Sequence, residues 1–251
     1  MTENKIPTGN ERLSLPCIQE ADGAVQNITF LHMGFKGLID IRGTPQESLI
    51  NPYITVNGRL FPFKNLVWKR LNYWIPQFTA ASDALKVTGT ILAPIGERGF
   101  VYRLELMNKG SEALSATAGL KGLWNSAWHC INEDKILNGT AHVYKSNWNN
   151  GIVFDFRSTS SVFSFAPMFS VSGIMDFKYT ERGIAYSITS QFTLLPGEGK
   201  ALDIFWGIGY EEVASATSAK EMLRQGYARE LDKTLKWLEK RSFRFDDPYI
   251  E

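Results

Sequence analysis

The residues best suited to chemistry in this 251-residue chain are aromatic, and several of its seven tryptophans sit among amides. A sugar ring has apolar C–H faces that stack on indole, and hydroxyls that need Asn, Asp, Gln or His. Leu123-Trp124-Asn125-Ser126-Ala127-Trp128-His129 has that mixture. Asn147-Trp148-Asn149-Asn150 repeats it at an expected loop, and Asn72-Tyr73-Trp74-Ile75-Pro76-Gln77 is a third cluster. Trp124 and Trp128 are four residues apart, so one continuous strand would show both on one face. Trp74, Trp124, Trp128, His129 and Trp148 are therefore the candidate carbohydrate contacts. The competing reading is core packing, where an indole buries a large area; Trp68, Trp206 and Trp237 are assigned to it.

Other chemistries find less support. The histidines are His32, His129 and His142, and no His-x-x-x-His or Cys-x-x-Cys spacing accompanies them, so no metal and no cofactor is expected. Cys17 and Cys130 do not make a disulfide framework. Cys130 adjoins His129, but neighbours on a strand point to opposite faces, so they are not a nucleophile and its base. There is no Gly-x-Ser-x-Gly elbow. Gly96-Glu97-Arg98-Gly99 lies between two expected strands and reads as a hairpin turn, not a phosphate loop opening a helix. A carboxylate pair could cleave a glycosidic bond. Asp40, Glu133, Asp134 and Asp176 are all available, and the sequence pairs none of them, so no catalytic residue is assigned.

The elements that must position these residues are mostly strands. Residues 12–210 alternate apolar and polar, are rich in β-branched and aromatic side chains, and are broken by turn residues. Residues 101–106 end at Asn108-Lys109-Gly110, and 152–156 follow Asn149-Asn150-Gly151, a tight hairpin signal. Residues 185–195 reach Pro196-Gly197-Glu198-Gly199, with 202–208 expected as the returning strand. Short turns without intervening helices imply antiparallel pairing in a large β-sandwich. The pattern then changes. Leu223, Tyr227, Leu231, Leu235 and Leu238 line one face of a helix expected over 219–240, with a capping box at Ser218 and a weak point at Gly226. Asp247-Pro248 reads as the start of a further helix, so the chain is expected to lead into a helical domain. The organisation is a sandwich over 1–210 and a helical linker over 211–251.

Composition excludes several classes. Lys+Arg is 27 against 26 Asp+Glu, which leaves no basic surplus for nucleic acid or anionic lipid. No apolar run approaches the ~20 residues of a membrane span. The polar first eleven residues are no secretory signal, so a reducing, cytoplasmic setting is the expectation.

Three segments carry a resemblance. E-R-G-F-V-Y-R-L-E-L-M-N over 97–108 followed by K-G-S-E, F-T-L-L-P-G-E over 192–198, and the terminal helix leading to F-R-F-D-D-P-Y-I-E are similar to the N-terminal β-supersandwich and linker of certain glycoside hydrolases and phosphorylases. These enzymes, among them bacterial glucoamylases and the maltose, kojibiose and cellobiose phosphorylases, carry a six-hairpin α/α barrel. The resemblance implies a galactose mutarotase-like supersandwich followed by a linker helix. It also implies catalytic carboxylates on a barrel absent from this chain, and a sandwich that supports the barrel and lends a loop to its sugar pocket. Carbohydrate and a covalently linked helical domain are then the expected partners. With the barrel missing, an exposed stripe on the helix would favour a homodimer. The same topology in mutarotases leaves an alternative, an aldose epimerase in which His129 or His142 would be the acid. A free-standing carbohydrate-binding module is a third.

Overall fold

The computed structural model describes residues 5–32, 37–131, 133–147, 151–159 and 161–241. The first strands are β1 (Lys5–Gly9), β2 (Leu13–Gln19), β3 (Asn27–His32) and β4 (Gly37–Arg42). Then come β5 (Asn51–Val56), β6 (Arg59–Leu60), β7 (Val67–Leu71), β8 (Ile75–Ala81), β9 (Leu85–Leu92) and β10 (Gly99–Asn108). They are followed by β11 (Leu114–Trp124), β12 (Ser126–Ile131), β13 (Glu133–Ile136), β14 (Thr140–Ser146) and β15 (Gly151–Arg157). The last strands are β16 (Val162–Phe169), β17 (Ile174–Thr180), β18 (Gly183–Leu194) and β19 (Gly199–Gly209). Two helices close the described chain, α1 (Glu212–Gln225) and α2 (Tyr227–Glu239).

All pairings are antiparallel, and they make three sheets. An eight-stranded sheet runs β14-β15-β16-β19-β10-β9-β8-β7. A six-stranded sheet, β1-β2-β3-β4-β12-β13, and a five-stranded sheet, β17-β18-β11-β5-β6, are linked by the bridge between Val25 and Ile50. All three feed one core. The expected antiparallel sandwich followed by helical structure is what the chain forms.

Period-two alternation explains why the eight-stranded sheet is covered on both faces. On β10, Phe100, Tyr102, Leu104 and Leu106 enter the sandwich core, while Val101 faces the other way, into a second cluster under the helices. On β15, Phe154 and Phe156 point inward and Val153 outward. The helices lie on the outward side, with Ala216, Ala219, Met222 and Leu238 buried there. Leu223, Tyr227, Leu231 and Leu235 pack half-buried against the same sheet. The stripe expected to stand open is thus turned onto the sandwich.

Two local expectations are corrected. Helical structure begins at Glu212, seven residues before the expected start, and Ser218 lies inside α1 rather than capping it. Small residues explain the earlier start. Ser215, Ala216 and Ala219 let α1 sit directly on Gly207 and Gly209 of β19. The Ser215 hydroxyl hydrogen-bonds Ser164 of β16 at 2.9 Å. The helix then breaks at Gly226, whose φ of 80° suits glycine alone, and restarts as α2.

The second correction concerns the turn at 196–199, which was expected to lead into a returning strand and lies beside the turn at 108–110. Neither closes a hairpin. The chain passes from β10 in the eight-stranded sheet to β11 in the five-stranded one, and later from β18 back to β19. The two crossovers lie side by side, because β10 pairs with β19 and β11 with β18. Asn108, almost fully buried, stitches them together. Its amide donates to the Leu194 carbonyl at 3.0 Å and the Glu112 carbonyl at 2.7 Å, and its backbone carbonyl accepts from Gly197 N–H at 3.1 Å. The turn at 96–99 does join the paired strands β9 and β10, as read from the sequence. The Asp247-Pro248 helix start lies outside the described residues.

Candidate functional site

The sequence candidates fall in three places. Trp124 ends β11 and is a core residue, 1% exposed. Its indole is closed in by Phe154, Phe156, Phe163 and Phe165, at ring-centroid distances of 5.1–6.5 Å. A ring so enclosed offers no face to a sugar. It also does not share a face with Trp128, since the chain changes sheet at Asn125, between β11 and β12. Trp148 lies outside the described residues.

Trp128 is half-buried on the outward face of the six-stranded sheet. Cross-strand register places Thr29, Asp40 and Trp128 in one row, with Asn27, Arg42 and Ser126 in the next. Asp40 is nearly fully buried and accepts hydrogen bonds from Asn27 at 2.7 Å, Thr29 at 2.8 Å and the Arg42 guanidinium. Arg42 also donates to Asp134 at 3.0 Å and stacks 4.6 Å from the Trp128 ring centroid. Its presence holds the Asp134 carboxyl below its usual range. Burial, together with the hydrogen bond to Asp134, pushes the Cys130 thiol up to about 11, so Cys130 is a poor nucleophile. Leu31, Leu38 and Ile136 are exposed on this same face. His129 points to the opposite face, in register with Ile39 and Lys135.

Trp74 lies in the turn between β7 and β8, and its indole N–H donates to the Gly9 carbonyl at 2.7 Å. With Tyr73, Trp237, Leu238 and Arg241 it lines a largely apolar cavity of about 390 Å³ at the end of α2.

A second cavity, of about 170 Å³, was not foreseen as a site. It lies where the ends of β3 and β19 meet the start of β2. His32 forms part of its wall and is 5% exposed. The His32 Nε2 lies 2.8 Å from the Val162 carbonyl oxygen, and its ring stands edge-on to Tyr210 at 4.9 Å. Arg12 and Arg98 also line it. The one sequence signal was His32 ending a strand; its neighbours come from segments up to 178 residues away, which no local pattern links.

The remaining histidine, His142, faces Asp155 across β14 and β15, a spacing of about 5 Å between Cβ atoms. Asp155 is buried and held by Arg157 at 2.7 Å, and the pair lines neither cavity. Nearby, Tyr144 donates to Glu212 at 3.0 Å, and burial beside that carboxylate raises its phenol to about 12. Ser146 also binds Glu212, so this group pins the first turn of α1 to β14. Among the described residues no cluster of His, Cys, Asp and Glu could hold a metal ion, and no helix is long and apolar enough to cross a membrane.

No family profile and no curated protein matches the sequence. Solved structures do match the fold. A kojibiose phosphorylase from the human microbiome superposes with a TM-score of 0.58 at 10% identity, over 93% of this chain and 35% of that one. A bacterial glucoamylase complexed with acarbose gives 0.58 at 11%, over 96% of this chain and 37% of that one. An aldose epimerase homologue from C. elegans gives 0.57 at 8%, over 84% of this chain and 100% of that one. The chain therefore spans about a third of the phosphorylase and glucoamylase structures and the whole of the epimerase homologue. What is shared is the fold, a large antiparallel β-sandwich, found in chains about three times as long as the matched part and in chains matched over their whole length.

Proposed function

We propose that this chain is the non-catalytic sandwich of a carbohydrate-active enzyme, a glycoside hydrolase or phosphorylase, and that it supports a helical catalytic domain carrying the reacting carboxylates. One observation carries this reading. The matches to the phosphorylase and the glucoamylase take in 93% and 96% of this chain but only 35% and 37% of theirs, so nearly the whole of this chain corresponds to one part of a much longer enzyme. The Trp128 face, with Asp134 and Arg42 beside a half-open indole, is the surface assigned to sugar contact, and Trp74 and Trp148 are further candidates. His129 is turned to the other face of the same sheet and is not part of that surface.

A second reading, an aldose epimerase, has its own support in the complete coverage of the epimerase homologue and in the His142–Asp155 pair. Polarimetry separates the two. The 251-residue chain is assayed for mutarotation of α-D-glucose and α-D-galactose. The protein from the complete native coding frame is assayed for hydrolysis and phosphorolysis of maltose and kojibiose. The accessory reading expects buffer-rate mutarotation and glycoside cleavage only by the complete protein. Fast mutarotation that His142→Asn abolishes would establish the epimerase instead.

A further inference from the structure

The cavity at His32 differs from both tryptophan clusters in its charge. Its walls are mostly side chains without charge, Leu13, Phe30, Leu31 and Ile208 among them, and its charged groups are two guanidiniums. No Asp or Glu is among the described residues that line it. Arg98 makes no ion pair with any described carboxylate; its guanidinium carbon lies 5.8 Å from the Tyr210 ring centroid. The neighbouring acids are engaged elsewhere. Glu97 holds Lys233 at 2.9 Å, and Glu11 accepts from Gly96 N–H at 2.8 Å and makes a long ion pair of 3.9 Å with Arg12, which leaves Arg98 as the guanidinium of the cavity with no ion pair to a described carboxylate.

The backbone fixes both arginines at the rim. The Arg12 carbonyl accepts from Leu31 N–H at 3.1 Å, and the Arg98 carbonyl accepts from Ile208 N–H at 2.8 Å. Arg12 and Arg98 thus sit in the β1–β2 and β9–β10 connections, each one residue before a strand and tied by its carbonyl to a neighbouring strand. Guanidinium forks match carboxylate and phosphate oxygens, and apolar walls strengthen that attraction by excluding water. At about 170 Å³ the cavity is smaller than the ~300 Å³ at which drug-sized pockets begin. It holds one small body and not an oligosaccharide. Its few polar groups would also leave most hydroxyls of a neutral sugar unsatisfied.

We infer that this cavity is a binding site for a small oxyanion, a carboxylate or phosphate group carried on a compact, largely apolar body, with Arg12 and Arg98 holding the anion and Tyr210, Phe30 and Leu31 enclosing the body. The site is distinct from the sugar-contacting face proposed above, and its existence does not depend on that reading. The test is calorimetric titration of the 251-residue chain with benzoate and phenyl phosphate, with benzyl alcohol as the neutral counterpart and inorganic phosphate as the anion without a body. The His32 ring proton resonances report where the ligand sits. Benzoate or phenyl phosphate should bind at least tenfold more tightly than benzyl alcohol and than inorganic phosphate, and should shift the His32 resonances. The better of the two identifies the oxyanion. Arg98→Gln, at an exposed rim position, should weaken that binding at least tenfold, and raising the salt should weaken it in the wild type. Equal binding of benzyl alcohol or of inorganic phosphate would overturn the inference. So would affinity untouched by both Arg98→Gln and Arg12→Gln, or an absence of binding by either anion at 10 mM probe, a concentration of the order at which weak millimolar sites are read.

Discussion

Trp124 and Trp128 show what parity along a strand decides and what it leaves open. Four residues on one strand would put them on one face, and the rule is sound. It does not apply because the strand ends between them, at Asn125, where the chain passes from the five-stranded to the six-stranded sheet. Nothing local marks that step, since Asn125 is as much at home in a sugar site as at a sheet change. The indole of Trp124 consequently packs on four phenylalanines, and its N–H has no hydrogen-bond partner among the described residues. Trp124→Ala should cost about 3–5 kcal/mol of stability, the range for deleting a large buried aromatic. Urea denaturation measures it. A variant that kept its midpoint but lost affinity for a maltooligosaccharide would return Trp124 to the sugar contacts. At Asp40 the sequence was equally silent: a carboxylate on an expected strand reads as solvated, whereas Asn27, Thr29 and Arg42 together supply the hydrogen bonds that let it be buried.

Among the elements, strands were legible wherever one face is more open and the other meets the core, as in β18. Their partners were not. A tight turn is the same local signal whether the chain returns alongside or crosses to the opposite layer, so the turn at 196–199 reads as a hairpin. The helix start was misread for a related reason. A capping box is a local motif, whereas α1 begins where small residues can approach the sheet. Gly207 makes that approach possible, because a Cβ there would run into the Ser215 backbone carbonyl oxygen. Gly207→Ala should therefore displace α1 and lower stability by about 1–3 kcal/mol, as overpacking does elsewhere. Thermal melts combined with hydrogen exchange at α1 check this. Loss of protection confined to α1 and the facing strands is expected, and unchanged exchange there would contradict the packing described.

For the molecule as a whole, the fold class followed from texture: many short strands, few helices, and a change of period near residue 210. The candidate site was far less legible. The cavity at His32 is assembled from the starts and ends of β2, β3, β10 and β19, and only the three-dimensional pairing brings Arg12, His32, Arg98 and Tyr210 together. The helices are equally a matter of the whole. They complete the second side of the eight-stranded sheet, so Val101, Leu92 and Phe205 are covered only when α1 and α2 are in place.

The pairing of β10 with β19 has a consequence for how the protein is made. Val101 meets Phe205 across about a hundred residues of chain. At a synthesis rate of about 5–20 residues per second, the β10 segment leaves the ribosome roughly 5–20 s before its neighbour exists. Phe100, Tyr102 and Leu104, fully buried in the finished sheet, wait through that interval with one side of their strand vacant. The nascent chain should thus be a client of the chaperones that hold exposed strands. Ribosome-stalled chains ending at residue 198 should be cut readily by a nonspecific protease, while chains in which the whole of 1–241 has emerged should resist it. Equal resistance of the two would mean that the sandwich closes without its last strand.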